Sequence, residues 1–366
     1  MTHPLAFLLL AALQAPPPAD VDAAVKKGGE FLLKKYEKGL DPNLMGWNLE
    51  LLILALSHAD VPKDNDVFQK GLKEIESSKL EYTYRVASLA MALARIDPAR
   101  YRPRLAHCAQ WLVDTQLLAG EWGYPGTVTE PGQIPKPIEV PAPKADAGPK
   151  TKIKRQPNKS LDLKVKGDIS NTQFAVLALK ACADAGIEVP KETWSGALAY
   201  VQTTQNPDGG WGYCFGGEKD PSSYASMTCA GVTTMAICRH QLGHKDVVKD
   251  PPIKAALAWL GKSFRPDKNA NVENGQITDP GRWLYYYLYS IERTGMILGQ
   301  ETMGKEKWYP AGAKFLLGKQ KEDGSWWTGA FDKAAELDTT ADTCFAILFL
   351  TKATPALTPT EGGKKK

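Results

Sequence analysis

QNPDGGW, residues 205–211, crowds a glutamine, a proline, two glycines and a tryptophan into one short turn. The same frame occurs twice more in the chain. Gln116-Leu-Leu-Ala-Gly120-Glu-Trp122 precedes it and Gln320-Lys-Glu-Asp-Gly324-Ser-Trp326 follows it, so all three read Q-x-x-x-G-x-W. The agreement extends upstream, where an aromatic residue stands five positions before each glutamine (Trp111, Tyr200, Phe315) and an aliphatic one follows it (Leu112, Val201, Leu316). Downstream, Trp211 to Thr228 and Trp326 to Thr343 are both 17 residues, and each threonine lies at the head of an apolar segment. Recurrence at fixed spacing is the mark of a structural repeat, since a single ligand loop has no reason to occur three times.

Each turn separates two kinds of helix. The segment before it mixes charge with one apolar face, whereas the segment after it (FAVLALKACA at 174–183, CFAILFL at 344–350) is apolar nearly all round. A helix of the second kind has to be surrounded by others. Looser pairs keep the same rhythm at GGEFLLKKYEKG with GWNLELLILALSHA, VFQKGLKEIESS with YRVASLAMALARI, and IKAALAWLGKSF with GRWLYYYLYSIERTGMIL. Six pairs give about twelve helices, and no alternating strand pattern interrupts them. The expected fold is all-α: an α6/α6 toroid, with six inner helices closed into a ring and six outer ones behind them. In the turns, Gly120, Gly209 and Gly324 permit the reversal. Gln116, Gln205 and Gln320 can bond the open backbone groups at helix ends, and Trp122, Trp211 and Trp326 cover the junction with a neighbouring unit.

In the first full copy the interval from Trp122 to Thr172 is 50 residues rather than 17. The excess, 127–167, is rich in Pro and Lys and reads as a surface insertion within one repeat, not a domain boundary. It holds nine Lys or Arg against four Asp or Glu, and three more lysines end the chain at 364–366. These pieces carry the formal charge of +4; the remainder is slightly acidic. A nucleic-acid footprint on the folded part is therefore not expected. Residues 5–13, LAFLLLAAL, are too few to span a bilayer but suit the core of a secretory signal, with cleavage near Ala15 before Pro16-Pro17-Pro18. We expect a signal peptide at 1–15, one toroid domain at 20–355 and a disordered tail at 356–366. The protein would be exported to a periplasmic or extracellular space, with no transmembrane segment.

The Q-x-x-x-G-x-W turns resemble those of the prenyltransferase and squalene-cyclase repeat superfamily, over most of residues 23–353. The resemblance implies an α6/α6 toroid with a cavity at one end of the inner ring; it does not imply one activity, since the fold serves cyclases, transferases and binding proteins. The acid motif DxDD of the class II terpene cyclases is absent, Asp64-Asn65-Asp66 being a charged loop. Asp342-Thr-Cys344 matches the first zinc-ligand pair of the protein prenyltransferases, yet no histidine opens an inner helix to complete the set. Zinc at Asp342 and Cys344 is thus a weak candidate, and no cofactor is expected. The GCGEQ thioester motif is also missing.

Among the residues themselves, Asp338 and Asp342 stand four apart at a helix start. Two close carboxylates raise one pKa and make a proton donor, although capping is the commoner role for aspartate there. Trp283, Tyr285, Tyr286 and Tyr289 are candidates to line a ligand cavity; with Tyr287 they form a cluster that cannot all point one way, so most are expected to pack between helices and one or two to reach the cavity. His240 and His244 read as capping or surface residues. Of six cysteines, at 108, 182, 214, 229, 238 and 344, four fall in apolar helices and behave as small hydrophobes, while Cys214 sits in a loop expected to be accessible. The functional expectation is a repeat domain that binds a hydrophobic ligand or protein partner. The alternatives are a terpenoid cyclase or prenyltransferase-type enzyme with Asp338 or Asp342 as acid, and a secreted glycan-processing toroid.

Overall fold

Apolar helices with no polar stripe have nowhere to go but the middle. Residues Ile169–Lys180, the first twelve of one such helix, are buried on every face. The computed structural model describes residues 15–39, 49–124, 150–155, 166–271, 283–328 and 335–357, and of 335–338 the backbone alone. Twelve helices run through them: α1 (Pro18–Glu37), α2 (Leu49–His58), α3 (Asp66–Glu76), α4 (Thr83–Ile96), α5 (Arg102–Thr115), α6 (Ile169–Asp184), α7 (Lys191–Thr204), α8 (Ala225–Gln241), α9 (Pro251–Ser263), α10 (Leu284–Leu298), α11 (Trp308–Leu317) and α12 (Ala335–Leu350). The even-numbered helices form the inner ring, each against the next, and α12 returns to pack on α2. The odd-numbered helices back them. The outer helix α3 shows the difference in patterning: Phe68, Leu72 and Ile75 share its buried face, and the Asn65 side chain caps its start by accepting from the Phe68 N–H at 3.0 Å.

The three turns are built from the same hydrogen bonds. Gln116 Nε2 donates to Gly120 O at 2.9 Å and to Thr193 O at 3.0 Å; Gln205 repeats this with Gly209 O and Pro252 O, and Gln320 with Gly324 O and Ala24 O. One donor thus closes the turn, and the other ties it to the N-terminal part of the next outer helix. Trp122, Trp211 and Trp326 are fully buried, and their indole N–H groups donate to Leu112, Val201 and Leu316 O at 2.7, 2.9 and 2.8 Å. Their backbone N–H groups reach the hydroxyls of Thr172, Thr228 and Thr343 on the following inner helix. The glycines have φ of +103°, +92° and +90° and lie so close to the next outer helix that a Cβ on Gly324 would sit 2.4 Å from Lys27 O. Glycine is required there both for conformation and for room. In the last copy the neighbour is α1, so the clasp that spaces the other units also closes the ring.

The described parts of the 127–167 insertion, residues 150–155 and 166–167, are tied to the toroid. Thr151–Lys152 (β2) pairs in parallel with Ile187–Glu188 (β4), Gln110 Nε2 donates to Lys154 O, and Arg155 Nη2 donates to Gln116 O. Its end, Gly167–Asp168 (β3), pairs with Trp122–Gly123 (β1) and so delivers the chain to the start of α6. Most of the insertion, residues 1–14 of the expected leader (1–15) and residues 358–366 of the expected tail (356–366) lie outside the described residues.

Candidate functional site

The inner helices all point the same way, so their N-termini gather at one end of the ring. Asp168 caps α6 there. It is fully buried, and its Oδ1 accepts from Ser170 N–H (2.9 Å), Ser170 Oγ (2.5 Å) and Asn171 N–H (2.9 Å), while Oδ2 accepts from Asn171 Nδ2 at 2.7 Å. Burial raises its pKa, against the lowering effect of those bonds. Glu121, next to the strand pair, is a second buried acid: burial raises its pKa, Asp168 adds to the effect, and its Oε2 has no partner among the described residues. The phenols of Tyr84, Tyr124, Tyr213, Tyr224 and Tyr286 are all held above their ordinary pKa, by burial first and by the negative charge of Asp168 in addition. Tyr124 and Tyr213 share a hydroxyl contact of 3.2 Å. They are donors, not phenolates, at neutral pH.

The rings continue inward as a column. Tyr124 packs on Tyr84 (centroids 5.7 Å apart), Tyr84 on Phe174 (4.6 Å), Phe174 on Tyr286 (6.3 Å), Tyr286 on Phe345 (5.7 Å) and Phe345 on Tyr289 (5.8 Å). Such tilted and offset pairs are the favoured aromatic geometries. At the open end the large apolar side chains Tyr82, Tyr124, Phe215 and Trp283 are exposed, all on the loops and caps that precede inner helices. Deep in the column lies Arg293. Its guanidinium carbon is 4.2 Å from the Tyr289 centroid, 4.8 Å from Phe174 and 5.5 Å from Tyr286, and Nη2 donates to Ser290 Oγ. Nε and Nη1 have no hydrogen-bond partner among the described residues, so cation–π contact with three rings offsets part of the cost of its burial. Beside it, Glu292 accepts from Thr354 N–H and lies 2.8 Å from Thr354 Oγ1; burial lifts its pKa to about 8.

The structure separates the residues singled out from the sequence. Tyr286 and Tyr289 belong to the column, and Trp283 stands exposed at its rim with φ +60°. Tyr285 is buried on the α12 side, under the influence of Asp342, and Tyr287 faces outward to Arg265 O. Asp342 is half-buried and accepts from Thr328 N–H at 3.3 Å, steadying the loop after Trp326. The side chain of Asp338 lies outside the described residues. Cys344 is buried beside Asp342, and burial pushes its thiol pKa up, which disfavours the thiolate that zinc requires. His240 and His244 are exposed, His240 within the last turn of α8. The expectation of an accessible Cys214 is overturned. Its side chain is fully buried, because the loop turns inward at φ +54° and folds over it.

All six cysteines are free and buried. A thiol reagent such as Ellman's should therefore label none of them in the native protein and all six after denaturation; rapid native labelling of one site would show that its loop opens.

Asp168 and Glu121 were missed from the sequence, yet a signal exists. When the three copies are aligned, Glu121 occupies the slot held by Gly210 and Ser325, and Asp168 the slot held by Tyr224 and Thr339. Both departures from the repeat fall in the first full copy, where the insertion also lies.

No protein-family model matches the chain, and no curated protein does. Solved structures do. A variant of the type II terpene cyclase MstE from Scytonema, in complex with geranylgeranyl dihydroxybenzoate, superposes with a TM-score of 0.53 at 13% identity, covering 92% of this chain and 98% of that one. A second variant with the same substrate gives 0.51 at 14% identity, covering 92% and 98%. The apo enzyme gives 0.52 at 12% identity, covering 92% and 99%.

Proposed function

From the terpenoid cyclase/prenyltransferase α/α toroid fold that this chain has, we propose that the protein binds an apolar small molecule of the prenyl-chain class at the N-terminal end of its inner ring. The observation that carries this reading is the aromatic column, which begins at the exposed Tyr124 and continues ring by ring to Tyr289. A surface for a protein partner alone needs exposed rings, not a file of them leading inward. Binding rather than cyclisation follows from the state of the acid: both oxygens of Asp168 are already engaged within its own helix cap. Export rests on the apolar run at 5–13, and N-terminal sequencing of the mature protein is its check.

A second reading is favoured by one specific observation. Asp168 is fully buried among phenols, and burial raises its pKa, the direction in which an acid catalyst is tuned. It would make the protein a cyclase with Asp168 as acid.

One experiment separates the two. Geranylgeraniol titrated into the protein should quench intrinsic fluorescence saturably and be recovered unchanged. Tyr124→Ala and Phe215→Ala, both at exposed positions, should each weaken binding about tenfold, the loss of one aromatic contact in a desolvated site. No saturable binding, or binding indifferent to both variants, would overturn the proposal. A cyclised product that disappears in Asp168→Asn would establish the second reading instead.

A further inference from the structure

The opposite end of the inner ring holds a cavity of about 400 Å³, between the C-terminal halves of α2, α4 and α6 and the segment after α12. Its walls are apolar: Leu54, Met91 and Leu177 face it, and Tyr289 forms part of the floor. Its polar groups are mostly basic. Arg95 of α4 makes no ion pair among the described residues, and Lys180 of α6 is buried, ion-paired with Asp184 at 2.7 Å and holding two further N–H groups. Asp184 is the one carboxylate on the wall and is half in solvent. His58 of α2 is neutral at physiological pH, since burial and then Arg95 lower its pKa to about 4, so it offers a ring nitrogen rather than a charge. Behind Tyr289 the Arg293 guanidinium lies 4.2 Å from the ring, with Nε and Nη1 unpartnered among the described residues. Glu292, behind Thr354, is mostly protonated at neutral pH and cancels little of that charge.

We infer that this cavity is a second ligand site, distinct from the aromatic column's mouth, that takes a small amphiphile with a carboxylate head. The apolar body lies against Leu54, Met91 and Leu177, and the head is paired with Arg95 and Lys180. The charge balance selects the class: two cations against one exposed carboxylate at the wall, and a buried guanidinium behind the floor, favour an anion over a neutral or cationic head. The volume falls within the range of small-molecule pockets and leaves no room for a peptide.

Isothermal titration calorimetry with sodium decanoate, and with 1-decanol as the neutral control, tests it. Decanoate should bind at one site about tenfold more tightly than decanol, and Arg95→Gln and Lys180→Met should each remove about that factor. Met91→Trp, which fills the cavity from a half-buried position, should abolish binding. Arg95 is exposed, so its replacement is expected to cost little stability. Equal affinity for decanol, no saturable binding of decanoate, or binding unchanged in Arg95→Gln would overturn the inference. The Tyr124→Ala and Phe215→Ala variants, which act at the other end, should bind decanoate as the wild type does, so failure of the prenyl-ligand reading leaves this one standing.

Discussion

Trp326→Ala is expected to lower the unfolding free energy by about 3–5 kcal/mol, the range for removing a fully buried tryptophan. The side chain is completely enclosed, bonds Leu316 O, and lies so close to α1 that a Cβ on Gly28 would meet its ring at 2.8 Å. Trp211→Ala should cost a similar amount, because its indole is as buried and bonded in the same way. The two should differ in what comes loose. Trp326 lies where α12 and α11 meet α1, so its loss releases α1 before the rest of the ring, whereas loss of Trp211 loosens a junction held on both sides. Urea unfolding gives the magnitude and limited proteolysis gives the place. Early cleavage within residues 18–37 in Trp326→Ala but not in Trp211→Ala is the expected result; the same cleavage pattern in both would refute the idea of a seam.

Glu292 gives the second large effect, and it depends on pH. Folding raises the pKa of this carboxyl from 4.5 to about 8, chiefly because burial disfavours the charge, against opposing contributions from Thr354, Arg293 and Lys352. A raised pKa means that stability is fully present below 4.5, falls as pH rises, and is lost by the time pH passes 8. The change corresponds to about 5 kcal/mol between those limits. Glu292→Gln keeps an acceptor for the Thr354 N–H and a partner for its hydroxyl but carries no charge. The variant should match the wild type near pH 4.5 and exceed it increasingly above that, by several kcal/mol at pH 8. Thermal or urea unfolding of both proteins across pH 4.5–8.5 measures the gap. Parallel curves would mean that the carboxyl stays ionised in the native state.

The fold was legible because each turn carries its own instructions. Gln205, Gly209 and Trp211 bond groups supplied by the same turn or the helix just before it, with single contacts to the next outer and inner helices, and those local demands fix residue types at fixed spacing three times over. The candidate site had no such local signature. Tyr84, Phe174, Tyr286 and Phe345 come from four different inner helices and meet only when the ring closes. Asp342 stands out in the sequence by its position at a helix start, and in the structure it accepts from the Thr328 N–H; Asp168, which the sequence hid at the far end of a long insertion, lies among the phenols at the head of α6. Cys214 was misjudged for a related reason. Glycine-rich loops read as surface, but the Tyr200 hydroxyl donates to Cys214 O at 2.8 Å and draws this one under the ring.

The three glutamine clasps are chemically alike, but they join points very unequally separated along the chain: 77 residues for Gln116 to Thr193, 47 for Gln205 to Pro252, and 296 for Gln320 to Ala24. For a flexible chain, bringing ends together across 296 residues rather than 47 costs roughly 1.5 kcal/mol more in configurational entropy. The seam is therefore the slowest clasp to close and the last to be made. A ring left unclosed would show the apolar flanks of α2 and α12 to solvent, so slow closure of this seam is expected to raise exposure to aggregation.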